Sequence, residues 1–209
     1  MKGIRNIVFD LGGVILDNDV HLTLRAFADL GINNMADYFG AGKASSFFRD
    51  YELGKISDAD FIGDLRRMGN LTAPDSVIIK AWNALLLDFP PLRIDLLRTL
   101  RDRFRLFLFS NTNRLHMQAF QQIFRDSFAG TELDSLFEKA YYSSAIGLRK
   151  PDREAYDFIL RDGNMINHET LLVDDARVNI VGAAKAGLQT YWIEPGKTVL
   201  DIGWDDVTS

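Results

Sequence analysis

The chain has 209 residues, 47% hydrophobic and 25% charged, with a formal net charge of −5 and no cysteine. That length suffices for one ordinary core with a sizeable insertion. The acidic balance argues against a protein that coats nucleic acid or an anionic membrane, and the missing thiols exclude disulfide frameworks, thiolate metal sites and cysteine nucleophiles.

Residues 1–6 lead into a short apolar strand and not into a signal-peptide stretch, and no run approaches the length of a membrane span. A cytoplasmic location is therefore the default expectation. The first strand, residues 4–9, ends at Asp10 and opens Asp10-Leu11-Gly12-Gly13-Val14. Residues 17–88 carry no strand pattern and are far longer than a normal crossover. Their periodicity is helical: Leu22, Leu24, Phe27 and Leu30; Phe47, Phe48 and Tyr51; Phe61, Leu65 and Met68; Val77, Ile78, Ala81 and Leu85. Ser57 and Ala73-Pro74 have the chemistry of helix starts, Gly54 and Gly69 that of stops.

Beyond this insertion, apolar runs at 105–109, 171–173 and 189–193, with a weaker one at 139–143, alternate with helical patterns at 93–101, 114–126, 152–162 and 177–186. Such alternation predicts a parallel sheet with crossover helices. The expected fold class is α/β, a Rossmann-like three-layer domain with a central parallel sheet and the Asp10 strand at its middle, plus an inserted helical bundle. The expected domains are a core from 1–16 and 89–209 and a helical cap from 17–88. Residues 194–209 read as polar and irregular.

Chemistry-bearing residues stand at the strand ends. In order they are Asp10, Ser110-Asn111-Thr112, Lys150 within Gly147-Leu148-Arg149-Lys150-Pro151, and Asp174-Asp175. Carboxylates at the carboxyl edge of neighbouring parallel strands converge, and such a cluster suits a hard cation and a phosphate. Ser110, where strand turns to helix, can cradle an anion with Asn111 and Thr112, and Lys150 offers a point charge. Arg98, Arg101, Arg103 and Arg105 read as a solvated face, Phe47, Phe48 and Tyr51 as bundle core, and His21, His116 and His168 lack ligand spacing.

This ordered set, with a helical insertion after the first member, resembles the four motifs of the haloacid dehalogenase superfamily, whose members are mostly magnesium-dependent phosphatases with a helical C1-type cap in one branch. The resemblance implies Asp10 as nucleophile, Lys150 as its charged partner, phosphate contacts from Ser110, Asn111, Thr112 and Lys150, and Mg2+ held by Asp10, the Gly12 carbonyl and Asp175. It implies supporting roles for Asp174 and for Asn179, which stands one turn after Asp175. The expected partner is a small phosphorylated metabolite, with no nucleic acid and no membrane, bound by a monomer or homodimer. Arg49, Glu52 and Lys55 are candidates for cap residues that reach the site.

One position departs from the pattern. Most phosphatases of the superfamily carry a second aspartate two residues after the nucleophile, which protonates the leaving oxygen; here that residue is Gly12. The Asp-Leu-Gly variant with Ser-Asn-Thr-Asn-Arg-Leu-His is similar to bacterial α-D-glucose-1-phosphate phosphatases, which implies a sugar phosphate with a good leaving group or an acid drawn from elsewhere, Asp17 and His116 being the first to consider. Two other readings stay open: a regulatory phosphate-binding protein without catalysis, and a metal-independent 2-haloacid dehalogenase.

Overall fold

The computed structural model describes residues 1–37 and 46–208; the omitted residues include part of the predicted insertion and the last residue of the tail. Strand β1 (Asn6–Phe9) is flanked by β2 (Arg105–Ser110) and β4 (Thr170–Asp174), with β3 (Lys139–Tyr142) and β5 (Gln189–Trp192) outside them. All neighbours are parallel and the order is β3-β2-β1-β4-β5. The order reverses at β1, so the crevice at the carboxyl ends of β1, β2 and β4 is where a ligand site forms. Register fixes which residues arrive there. Phe9 pairs with Leu108 on one side and Val173 on the other, which brings Asp10 level with Asp174 and just short of Ser110.

Buried on both faces, β1, β2 and β4 read as nearly unbroken apolar runs rather than alternating ones. One face packs Phe9, Leu108 and Val173 against α5 (Pro91–Leu100) and α6 (Arg114–Ser127). The other packs Val8, Phe107, Phe109 and Leu172 against α8 (Arg153–Asp162) and α9 (Arg177–Lys185). The tail is more ordered than its composition implies. Val199, Ile202, Trp204 and Val207 are buried in the first of these clusters, Trp204 lies 5.9 Å from Phe9, and Ile4 N–H donates to the Thr208 carbonyl at 2.9 Å. Sparse apolar residues spaced by acids hid this role.

Between β1 and α5 stand α1 (Val20–Asp29), α2 (Ser46–Glu52), α3 (Asp58–Gly69) and α4 (Asp75–Asn83). Ser57 caps α3 in a reciprocal capping box with Asp60, satisfying orphan N–H groups of the first turn. These helices gather a separate apolar cluster around Phe27, Phe61, Leu65 and Trp82, into which Phe48 and Tyr51 pack and to which Leu115 of α6 also belongs. The two chain segments joining helices to sheet lie side by side: Asp17 N–H donates to the Asp88 carbonyl (3.0 Å), Leu87 N–H to Asp17 (3.0 Å) and Asp19 N–H to Leu85 (2.9 Å). Among the described residues no helix is long and apolar enough to cross a membrane.

Candidate active site

Lys150 is completely buried, and its Nζ lies 2.8 Å from Asp10 Oδ1 and 2.6 Å from Asp174 Oδ2. A buried ammonium persists only where carboxylates compensate its desolvation. Burial pulls the Lys150 pKa down, but Asp10 and Asp174 overcome that and leave it raised. Asp174 is equally buried and fully engaged: besides Lys150, it accepts from the Ala176 N–H at 2.8 Å and from Asn179 Nδ2 at 3.1 Å on each oxygen. The Asn179 amide therefore orients Asp174, and not Asp175 as its helical spacing had implied.

Carboxylate oxygens of Asp10, Asp174 and Asp175 lie within 4.8 Å of one another. With a single ammonium among them, the ionised cluster carries a net charge of −2. The imbalance appears in the titration of its members. Burial, reinforced by Asp174 and Asp175 and opposed by Lys150, pushes the Asp10 carboxyl up to about 7. Asp175, at the solvent side of the cluster, is also raised, by the protein packed around its carboxyl and by Asp174. Gly13 makes this approach possible: its φ of +75° suits glycine, and an added Cβ would collide with Asp175 Oδ2. Three acids, one of them open to solvent, and a charge deficit of two form a donor set suited to a hard divalent cation.

A cleft of about 200 Å3 covers this cluster, lined by Asp10, Gly12, Ser110, Asn111, Thr112, Lys150, Asp175 and Asn179. It is also lined by Leu16, Asn18, Leu85 and Leu86 of the joining segments and by His116 and Phe120 of α6. The Ser110 hydroxyl lines this space without a hydrogen-bond partner among the described residues. Asn111 clasps the Lys150 backbone, donating to its carbonyl (2.8 Å) and accepting from its N–H (2.9 Å). The Thr112 N–H donates to Ser143 Oγ at 2.8 Å. These bonds fix the Asn111 side chain and the Thr112 backbone at the cleft that both residues line.

Neither candidate for a substitute acid is free. His116 donates through Nε2 to the Trp82 carbonyl (3.2 Å) and accepts at Nδ1 from Asn113 (3.0 Å), while stacking on the Trp82 ring at 4.8 Å. The carbonyl can only accept, which fixes this tautomer. Burial pushes the His116 pKa down to about 4. Asp17 pairs with buried Arg93 at 2.8 Å and does not line the cleft.

The turn after α2 docks onto α7 (Ser143–Ile146), which follows β3. Ser143 Oγ lies 2.8 Å from the Glu52 carbonyl and 2.9 Å from that of Thr112, and Gly54, at φ +68°, touches the Ser144 carbonyl so closely that a Cβ would collide. Glu52 pairs with Arg149 at 3.1 Å, its carboxyl raised by burial against the pull of that guanidinium. Of the three cap candidates, Glu52 thus braces helices against sheet, Arg49 lies 3.3 Å from Asp152 beside a second cleft, and Lys55 pairs with Asp50 at 3.5 Å, away from the site. Ser143 and Asn18 escaped sequence reasoning because a lone serine or asparagine carries no spacing signal.

A family model described as a haloacid dehalogenase-like hydrolase matches residues 4–187. The chain belongs to the haloacid dehalogenase-like hydrolases. Within this family, a D-ribitol-5-phosphate phosphatase of Bacteroides thetaiotaomicron is 32% identical over 197 residues, which cover 92% of this chain and 93% of the relative. A haloacid dehalogenase family enzyme from the same organism, crystallised as an aspartate-to-alanine variant with magnesium and inorganic phosphate, is 30% identical and superposes with a TM-score of 0.87 over 93% of this chain and 96% of that one. A Porphyromonas gingivalis hydrolase of the same kind is 31% identical, with a TM-score of 0.83 over 93% of each chain. The L-2-haloacid dehalogenase of Xanthobacter autotrophicus, 18% identical with a TM-score of 0.58 over 91% of this chain and 77% of that one, shares the fold alone.

Proposed function

We propose that this haloacid dehalogenase-like hydrolase is a Mg2+-dependent phosphatase that cleaves the phosphomonoester of a small polyhydroxylated metabolite, a sugar or polyol phosphate, through a phosphoaspartyl intermediate on Asp10. The observation that carries the reading is the charge deficit. Three carboxylates within 4.8 Å stand around one buried ammonium, a net charge of −2 that a divalent cation brings to zero, so that cation and ammonium can together receive a phosphoryl group. A dehalogenase acting on a monoanionic haloacid has no use for that surplus. The phosphatase name of the 32% identical relative supports the same class.

Asp10, the Gly12 carbonyl and Asp175 would hold the metal, with Asp174 and Asn179 behind them. Bound there, Mg2+ would neutralise charge on the phosphoryl oxygens. Asp10 attacks phosphorus with the oxygen not held by Lys150, forming the acyl phosphate as the ester oxygen departs; water then releases inorganic phosphate and restores the carboxylate. Lys150 favours the anionic form of Asp10 against the burial that raises its pKa, and it meets the phosphoryl charge. Ser110 donates its hydroxyl to a phosphoryl oxygen. Residues 17–88 serve as a lid that sheds bulk water from the intermediate and selects the substrate, while 1–16 and 89–209 form the core. The adjacent strands of the joining segments suit a hinge. The test is phosphate release from sugar, polyol, nucleotide and acyl phosphates with and without Mg2+. Turnover of a sugar or polyol phosphate that vanishes in EDTA is expected; phosphate binding with no turnover of any ester would indicate the regulatory reading instead.

A further inference from the structure

Phosphoryl transfer sets attacking and leaving oxygens in line across phosphorus. With Asp10 at the sheet edge, the leaving oxygen points away from the strand ends, where the cleft is also lined by Leu16, Asn18, Leu85 and Leu86 of the joining segments and by His116 and Phe120 of α6. The leucines and the phenylalanine offer no donor. Both ring nitrogens of His116 are occupied by Trp82 and Asn113. Asn18 alone remains, and its side-chain amide makes no hydrogen bond to a described residue. Its position is held by the backbone on either side, where Asp17 and Asp19 join the strand pair with Leu85 and Asp88. Its Nδ2 stands where a side chain at residue 12 would begin: a Cβ built on Gly12 would lie 2.6 Å from it. The absence of a side chain at Gly12 is what lets the amide lean over the metal loop.

We propose that Asn18 is a catalytic residue that donates a hydrogen bond from Nδ2 to the leaving oxygen, stabilising by charge-assisted hydrogen bonding an alkoxide that no acid in the cleft protonates. This inference rests on the phosphatase reading. In the step, the P–O ester bond breaks with its electron pair going to oxygen, the Asp10–phosphorus bond forms, and the alkoxide held by the amide takes its proton from solvent as the product leaves. A neutral donor does not titrate, so the leaving group gains the same help across the working pH range.

Asn18→Ala tests this with a graded series of aryl phosphates, from 4-nitrophenyl to phenyl, whose leaving groups differ in basicity but little in shape. A hydrogen bond to developing charge is worth roughly ten- to a hundredfold in rate. The variant should lose about ten- to a hundredfold more on phenyl than on 4-nitrophenyl phosphate, steepening the dependence of kcat/KM on leaving-group pKa. Native far-UV circular dichroism and an unchanged urea midpoint certify the fold of the variant. An equal loss across the series, or an unchanged slope, would overturn the role of Asn18 while leaving the phosphatase reading intact. No Mg2+-dependent turnover of any ester by the natural protein, sugar and polyol phosphates included, would overturn both.

Discussion

The surplus of negative charge at Asp10, Asp174 and Asp175 makes the metal-free protein sensitive to pH in a direction that can be worked out. The Asp10 carboxyl is held at about 7 in the folded chain against an ordinary 3.8. A group whose pKa is raised by folding binds its proton more tightly in the native state, so its contribution to stability is complete below the unfolded pKa and is lost as pH climbs through the folded one. The window therefore runs from about pH 4 to about pH 7, with a limiting slope of about −1.4 kcal/mol per pH unit. Between pH 5 and 7 the metal-free chain should lose about 2 kcal/mol from this group. Urea unfolding in EDTA at stepped pH measures it, with Asp10→Asn as the control that deletes the titration while keeping the shape. The variant should flatten the slope in this window, and saturating Mg2+ should stabilise the natural protein increasingly as pH rises, because the cation meets the charge that protons neutralise at low pH. Equal slopes for the natural protein and Asp10→Asn would refute the idea that burial and neighbouring carboxylates hold Asp10 protonated.

Other consequences follow from particular contacts. Asp175→Ala should weaken Mg2+ binding in a calorimetric titration far more than Asn179→Ala, which removes only the amide that orients Asp174; outer partners of this kind typically change affinity about 10–100-fold, and equal effects would reverse the two roles. Ser143→Ala leaves the buried Thr112 N–H without its acceptor, so thermal or urea unfolding should show a loss of about 1–3 kcal/mol, together with a raised KM as the turn after α2 loosens. Gly12→Asp should fail to improve turnover of poor leaving groups while Asn18 occupies the neighbouring space, and the double variant Gly12→Asp, Asn18→Ala should recover what the single one loses in kcat/KM.

Much of this architecture was legible in the chain. The apolar runs of β1, β2 and β4 could bury both faces only in a parallel sheet, and the carboxylates ending β1 and β4 had to meet at its edge, which is why Asp10, Asp174 and Asp175 were found together; Lys150 reaches them from the loop after α7. The helices at 58–69 and 75–83 announced themselves through Ser57 and Pro74. Partner choice was less readable. Asn179 stands one turn from Asp175 yet bonds Asp174, because Asp174 ends β4 facing inward to Lys150 while Asp175 turns toward solvent. Asn111 bonds the backbone of Lys150, a long-range contact with no local pattern. The tail at 194–209 resembled a loop because its buried residues, Val199, Ile202, Trp204 and Val207, are spaced too irregularly for any period. Asn18 gave no signal at all, since its meaning depends on the missing side chain at Gly12, which only three dimensions bring beside it.

The central claim is that Asp10 is the nucleophile of a phosphatase, and the most direct measurement is phosphate release from 4-nitrophenyl phosphate by Asp10→Asn at saturating Mg2+, beside the natural protein. An amide is a poor nucleophile, so the rate should fall at least about 10³-fold while far-UV circular dichroism stays native. A variant that keeps its fold and turns over within about tenfold of the natural rate would contradict the account.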